Sequence, residues 1–245
     1  MDAPFAVTLD FHDTLFSCDD WFTLEVEELV PAFLAWRGGA SRAAPSVALG
    51  HQGKQRYRAL RREVIASGLE RDAVRSVIDV CAVLGLAVSR DEVEAGVEAL
   101  MRGALATAEP MPGARQLVAD LRAAGFRLAV ISNAVHHPFL EWALAAHGLC
   151  DAFSAVVSSA SAGYYKSRPE IFTHTLGALG VPAARAVHVG DSYRFDVQGA
   201  AAVGMRTVWF DRRREAGPDH RADLSVDSLD ELAPRIRELL NFDAR

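Results

Sequence analysis

Apolar residues are distributed in two textures along the chain. Val7–Leu9, Leu128–Ile131, Ala155–Val157, Ala186–Val189 and Thr207–Phe210 are short apolar runs, most of them rich in β-branched residues and ended by polar or turn-forming ones. Such runs predict strands buried on both faces. Between Asp20 and Ala108 the apolar positions recur instead at helical spacing. Trp21, Leu24, Leu29, Phe33 and Leu34 form one set, Val74, Val77, Ile78, Cys81 and Leu84 a second, and Val93, Val97, Leu100 and Met101 a third. No convincing strand interrupts them, which predicts an all-helical segment of roughly 90 residues.

The segment Glu109-Pro110-Met111-Pro112-Gly113 marks the end of that stretch. Its prolines break helices, and Pro112-Gly113 leads into a predicted helix over Ala114–Ala123. Strands then alternate with helices expected at Phe139–Ala146, Pro169–Leu179 and Val197–Val203. This alternation predicts an α/β fold with a doubly wound, Rossmann-like parallel sheet. Val7–Leu9 supplies a fifth strand, so the helical segment is inserted after the first strand. The expected domains are an α/β core of residues 1–16 and 109–245 and a helical insert of residues 17–108.

Half of the 245 residues are hydrophobic, enough to fill a large core, and the net charge is −6. That balance argues against nucleic acid as the main partner. It leaves room for small anions, which a local cation and a metal can hold within an acidic protein. Three scattered cysteines, Cys18, Cys81 and Cys150, form neither a disulfide framework nor a zinc pattern and suit a reducing compartment. No basic-then-apolar leader and no apolar stretch of about 18 residues is present, so a cytoplasmic location without a membrane partner is expected. Nothing indicates an oligomeric state.

Polar residues punctuate the predicted strands at or just beyond their ends, where open parallel sheets place their ligands. Asp10 and His12 follow Val7–Leu9, and Ser132-Asn133 follows Leu128–Ile131. Lys166 precedes Pro169, and Gly190-Asp191-Ser192-Tyr193-Arg194-Phe195-Asp196 follows Ala186–Val189. Each is weak alone: Ser-Asn forms turns, and acids are favoured near a helix N-terminus without any function. Four in this order, with the helical insert in the first gap, resemble motifs I to IV of the haloacid dehalogenase (HAD) superfamily. The Asp10-x-His12-x-Thr14, Lys166-x-x-Pro169 and Gly190-Asp191-Ser192-x-x-x-Asp196-Val197-x-Gly199-Ala200 runs carry the likeness, and the insert resembles the family's C1 cap.

The resemblance implies a hydrolase of small phosphorylated metabolites. Asp10 would attack phosphorus to give an aspartyl-phosphate that water hydrolyses. Mg²⁺ would be held by Asp10, the backbone carbonyl of His12 and Asp191, with Asp196 in or just outside that set. Lys166 would hold nucleophile and phosphoryl oxygens, and Ser132, with the backbone N–H of Asn133, would bind the phosphoryl group. Two departures stand in motif I. His12 replaces the aspartate that protonates the leaving group, and Asp13 replaces a glycine. Histidine keeps acid–base capacity and the carbonyl. A positive imidazolium is nevertheless disfavoured beside Mg²⁺ and Lys166, so leaving-group protonation is expected to be slow or pH-shifted.

Three alternatives stay open: a catalytically weak HAD-like protein that binds a ligand or partner, a phosphonatase-type sibling, and a dehalogenase-type sibling. The phosphonatase would need Lys54, the one lysine in the insert, as a Schiff base; the dehalogenase would lack the acids at 191 and 196. For substrate selection the candidates are Phe16, Cys18, Trp21, Arg56, Arg58, Arg61 and Arg62, with His136 and His137 near the mouth. Arg212-Arg213-Arg214 reads as a solvated loop.

Overall fold

The computed structural model describes residues 4–41, 46–214 and 220–241. Strand β1 (Ala6–Leu9) is followed by the two-residue strand β2 (Phe16–Ser17) and a run of helices. These are α1 (Asp19–Thr23), a π-helical turn (Leu24–Glu28), α2 (Leu29–Ser41), α3 (Val47–Ser67), α4 (Ala73–Val83) and α5 (Arg90–Leu105). The chain returns through β3 (Glu109–Pro110), antiparallel to β2. Next come α6 (Ala114–Ala123), β4 (Arg127–Ser132), α7 (His137–Ala146), β5 (Ala155–Ser158), α8 (Ser159–Ala162) and α9 (Pro169–Leu179). The remaining elements are β6 (Ala186–Gly190), a second π-helical turn (Tyr193–Val197), α10 (Gln198–Ala201), β7 (Arg206–Phe210), β8 (Leu224–Val226) and α11 (Leu232–Leu239).

The main sheet has six strands in the order β5-β4-β1-β6-β7-β8, all parallel. Strand order therefore reverses at β1, which lies between β4 and β6. Each predicted strand forms, and β8 adds a sixth beside β7. Alternate residues serve opposite layers, as the period of a strand requires. Val7, Leu9, Leu128, Val130, Val187 and Val189 join a core with α6, α7 and α11. Ala6, Ala129, Ile131 and Ala186 face the other way, toward α9 and α10.

Helices α3, α4 and α5 hold their N-termini with side-chain caps. Ser46, Asp72 and Ser89 accept hydrogen bonds from the backbone N–H of Leu49, Arg75 and Glu92, each worth about 1 kcal/mol. Their apolar faces share one continuous core with the first face of the sheet. Four rings lock the junction: Phe11 stacks on Phe16 at 4.7 Å and Trp21 on Phe139 at 5.0 Å. Phe11 also meets Trp21 and Phe139 edge-on. Fully burying Phe11 contributes about 1.5–3 kcal/mol, and it anchors the loop that carries Asp10 and His12.

The helix predicted over Val197–Val203 begins four residues earlier, as the π-helical turn Tyr193–Val197, and continues as α10, which ends at Ala201. The carbonyl of Ser192 accepts from the N–H groups of both Asp196 and Val197, so the first turn is wound wider than an α-helix. Among the described residues no helix is long and apolar enough to cross a membrane.

Candidate active site

Strands β4, β1 and β6 end side by side at the reversal point of the sheet. Asp10 follows β1, its N–H donating to the carbonyl of Val189 at 2.9 Å. Ser132 is the last residue of β4, and Asp191 follows Gly190 at the end of β6. Lys166 departs from the expected placement, because α8 and a turn separate it from the end of β5. Its backbone is held from two sides: the Asn133 side-chain oxygen accepts the Lys166 N–H at 2.7 Å. Next to it, the Tyr165 N–H donates to the carbonyl of Gly68 at 2.9 Å. Asn133 thus positions Lys166 through its side chain, a role the sequence did not suggest.

The Lys166 ammonium, buried, donates to Asp10 Oδ1 and Asp196 Oδ1 at 2.5 Å each. Asp196 Oδ1 also lies 3.0 Å from His188 Nε2, and its Oδ2 accepts the Ser192 N–H at 2.9 Å. His188 Nδ1 in turn lies 2.8 Å from Thr8 Oγ1, its register partner on β1. Thr8 and His188 were missed in the sequence. The available signal was a polar residue at an inward position of each of two otherwise apolar strands.

Charge is unevenly shared in this cluster. Burial opposes ionisation of Asp196, but Lys166 and His188 outweigh it and hold the carboxyl down at about 2. Burial works against the Lys166 charge too, yet Asp10 and Asp196 together raise its pKa above the ordinary lysine value. For Asp10, burial outweighs Lys166, whose charge is divided between two carboxylates, and the neighbouring Asp196 adds to the upward shift. Asp191 is pushed up to about 8, first by burial and then by the charges of Asp10 and Asp196. Carboxylate oxygens of Asp10, Asp191 and Asp196 lie within 4.8 Å of one another. Three hard oxygen donors facing one ammonium leave negative charge in excess, and this donor set fits a divalent cation of the Mg²⁺ type.

Gly190 and Gly199 are close-approach glycines. A Cβ on Gly190 would sit 2.2 Å from Asp196 Cγ, and one on Gly199 would sit 2.6 Å from the Lys166 carbonyl oxygen. Both glycines let the acid-bearing turn pack directly against the cluster. Asp13 has φ +58°, the left-handed conformation that aspartate tolerates better than most residues. Its carboxylate meets Arg212 Nη2 at 3.2 Å.

Asp10, His12, Asp13, Ser132, Lys166 and Asp191 line a cleft of about 680 Å³ together with Trp21, Phe22 and residues of α3. The His12 ring stacks on Phe22 at 4.3 Å, with Nε2 3.6 Å from Asp19 Oδ1. Of the proposed selectivity residues, Trp21, Arg58, Arg61 and Arg62 line the cleft, whereas Phe16, Cys18 and Arg56 do not. His136 and His137 do not line it either. His136 packs on Trp142, and His137 Nδ1 lies 3.0 Å from Ser158 Oγ. Lys54 is bound to Glu27 and Glu28, and these hydrogen bonds raise its pKa. A Schiff-base amine needs the opposite shift, so that role is not supported. The loop of Arg212, Arg213 and Arg214 is exposed but not idle, since Arg212 and Arg214 pair with Asp13 and Asp227 and Arg213 lines the cleft.

A second buried charge network joins the helices to the sheet. Both oxygens of Glu25, in the first π-helical turn, accept from the Val135 N–H at 2.8 and 3.0 Å. Burial raises its pKa to about 8. Arg61 forks onto Glu70 at 2.5 and 3.3 Å, and Ser159 Oγ donates to Glu70 at 2.6 Å. Nothing in the local pattern around Glu25 or Glu70 signals the link to the sheet, because Val135 and Ser159 lie 110 and 89 residues away from them.

Residues 6–204 match the family model described as haloacid dehalogenase-like hydrolase. The chain is 38% identical over 119 residues to a glyceraldehyde 3-phosphate phosphatase of Pyrococcus abyssi, covering 48% of this chain and 49% of that protein. It is 38% identical over 122 residues to a phosphoserine phosphatase of Thermus thermophilus, covering 49% of each. The matched stretch thus spans about half the length of these curated relatives. Among solved structures, a 2-haloacid dehalogenase from Pseudomonas syringae superposes with a TM-score of 0.72 at 21% identity, covering 96% of this chain and 99% of that one. At that identity the likeness concerns the fold alone. With the family model spanning most of its length, the chain belongs to the haloacid dehalogenase-like hydrolase family.

Proposed function

We propose that the protein is a Mg²⁺-dependent phosphatase of small phosphorylated metabolites, acting through Asp10 in a cytoplasmic setting. The observation that carries this reading is the buried Lys166 ammonium between Asp10 and Asp196, with Asp191 beside them. A carboxylate that attacks a phosphate anion needs positive charge close by. The acids at 191 and 196 favour this reading over the dehalogenase alternative. Named phosphatases among the relatives support it.

In this mechanism Lys166 aligns Asp10 and neutralises part of the incoming phosphoryl charge, and the Ser132 hydroxyl and Asn133 N–H donate to phosphoryl oxygens. Asp10 displaces the alcohol and becomes an aspartyl-phosphate, which water then cleaves. Asp10, the His12 carbonyl and Asp191 would hold Mg²⁺, and when bound the ion supplies charge neutralisation at the phosphoryl oxygens. Asp196, with both oxygens committed to Lys166, His188 and Ser192, serves to fix Lys166. His12 exchanges the proton of the leaving group and of the attacking water. We also take residues 17–108 as a C1-type cap on a core of residues 1–16 and 109–245. The antiparallel pairing of β2 with β3 at both ends of the helical run supports this division.

The test is a panel of phosphate monoesters assayed with Mg²⁺ and with EDTA for wild type, Asp10→Asn and His12→Asp. Mg²⁺-dependent turnover that disappears in Asp10→Asn is the expected result. A silent wild type that gains activity in His12→Asp would identify a ligand-binding protein instead.

A further inference from the structure

We propose that the cleft is built for a second oxyanion, so that the preferred substrate is a phosphomonoester whose alcohol part carries its own negative charge on a short apolar body. This rests on the phosphatase reading and adds the chemistry of the leaving group. One face of α3 lines the cleft through Arg58, Arg61, Arg62 and Ile65, the i, i+3, i+4, i+7 spacing of a helical stripe. Arg61 is consumed by Glu70, and Arg58 lies 3.5 Å from Glu27. Arg62 has neither an ion pair nor a hydrogen bond among the described residues. Arg213, from the loop after β7, lines the same cleft and is likewise unpartnered among the described residues.

In the phosphatase reading the phosphoryl group being transferred would be served by Lys166, Ser132 and the cation that Asp10 and Asp191 would hold. Two further guanidinium groups from separate parts of the fold exceed what that one group needs. Guanidinium binds carboxylate or phosphate oxygens in paired, charge-assisted hydrogen bonds. The same cleft is lined by Phe22 and Val26, which remain 44% and 39% exposed. Exposed large apolar side chains facing a ligand cleft suit the carbon chain between two anions.

The experiment compares three matched esters: propyl phosphate, 3-(phosphonooxy)propanoate and propane-1,3-diyl bisphosphate, with p-nitrophenyl phosphate as a general reporter. Wild type is expected to favour an anion-tailed ester over propyl phosphate by about tenfold in kcat/KM, expressed mainly in KM, as one charge-assisted hydrogen bond supplies. The two tailed esters show which oxyanion is taken. Added salt should shrink the preference. Arg62→Gln and Arg213→Gln should each reduce it severalfold, whereas Arg56→Gln, on the same helix but outside the cleft, should retain it. Equal use of all three esters, or a preference untouched in both cleft variants, overturns the inference and leaves the phosphatase reading standing. No hydrolysis of any ester, p-nitrophenyl phosphate included, overturns both.

Discussion

Replacing Lys166 by methionine removes the one ammonium between two buried carboxylates while keeping most of the side-chain volume. The Lys166 side chain is 3% exposed, and its partners Asp10 and Asp196 are 8% and 1% exposed. Breaking a buried pair from one side costs about 3–5 kcal/mol. A second route gives a similar figure. Asp196 keeps His188, so Asp10 is the group left uncompensated, and its escape is to bind a proton. With a reference pKa of ~3.9, protonation costs about 4 kcal/mol at pH 7 and about 1.5 kcal/mol at pH 5. Because the Asp10 carboxyl is already shifted upward by burial in wild type, these figures are upper bounds, and the variant should be less stable by up to about 4 kcal/mol at pH 7 and up to about 1.5 kcal/mol at pH 5. In wild type the depressed carboxyl of Asp196, at about 2, contributes stability above the unfolded value. That contribution is lost only as pH falls from ~4 toward 2, so it is constant between pH 5 and 7. Urea unfolding of both proteins in EDTA at pH 5, 6 and 7 measures the difference without a divalent cation standing in for the lost charge. A gap below about 1 kcal/mol at pH 7, or one that does not narrow toward pH 5, would refute this account of the cluster.

Other consequences can be checked in the same way. Gly190→Ala would drive a methyl group into Asp196, so it should cost about 1–3 kcal/mol in urea unfolding and reduce turnover; unchanged stability would contradict the close approach. Glu25, raised to about 8, binds its proton more tightly folded than unfolded. Its contribution is complete below the unfolded value near ~4.3 and is lost as pH rises through 8. Wild-type stability relative to Glu25→Gln should therefore decline between pH 5 and 9, and a flat difference in melting temperature would exclude this. Mg²⁺ should raise the unfolding midpoint in a concentration-dependent way, and Asp191→Asn should abolish most of that rise.

Asp10, Ser132 and Asp191 were legible in the sequence because each ends a run whose apolar residues have no other use for a polar terminus. Lys166 and Asp196 were legible only through family likeness, since neither ends a strand. His188 and Thr8 each stand out as a polar residue within an apolar strand, but their partnership is set by the register of β1 on β6 across 180 residues, which no local pattern carries. Strand β8 has only Leu224, Ser225 and Val226, too short to show a period, and β2 and β3 have two residues each. They exist through pairing with partners distant in sequence. The π-helical turn at Tyr193–Val197 escaped notice because its cause is the Ser192 carbonyl serving two donors, a geometric event without a compositional mark. Asp13 was readable as a turn residue, and its positive φ follows from that chemistry.

The pairing of β2 with β3 sets Phe16 opposite Pro110 and Ser17 opposite Glu109. The chain thus leaves the sheet region and re-enters it at one point, so closure of the excursion is set at those two ends, while the shared apolar core and the Glu25–Val135 and Glu70–Ser159 hydrogen bonds tie the helices to the sheet. The entropy of closing such an excursion grows with the logarithm of its length, about 0.6 kcal/mol for each doubling. Lengthening or exchanging the helices between β2 and β3 therefore changes the closure term by less than one buried methylene contributes. Chain closure thus leaves the exposed half of the cleft that carries Arg58 and Arg62 free to vary, and the limit on variation is set by the faces packed on Phe139, Val135 and Ser159.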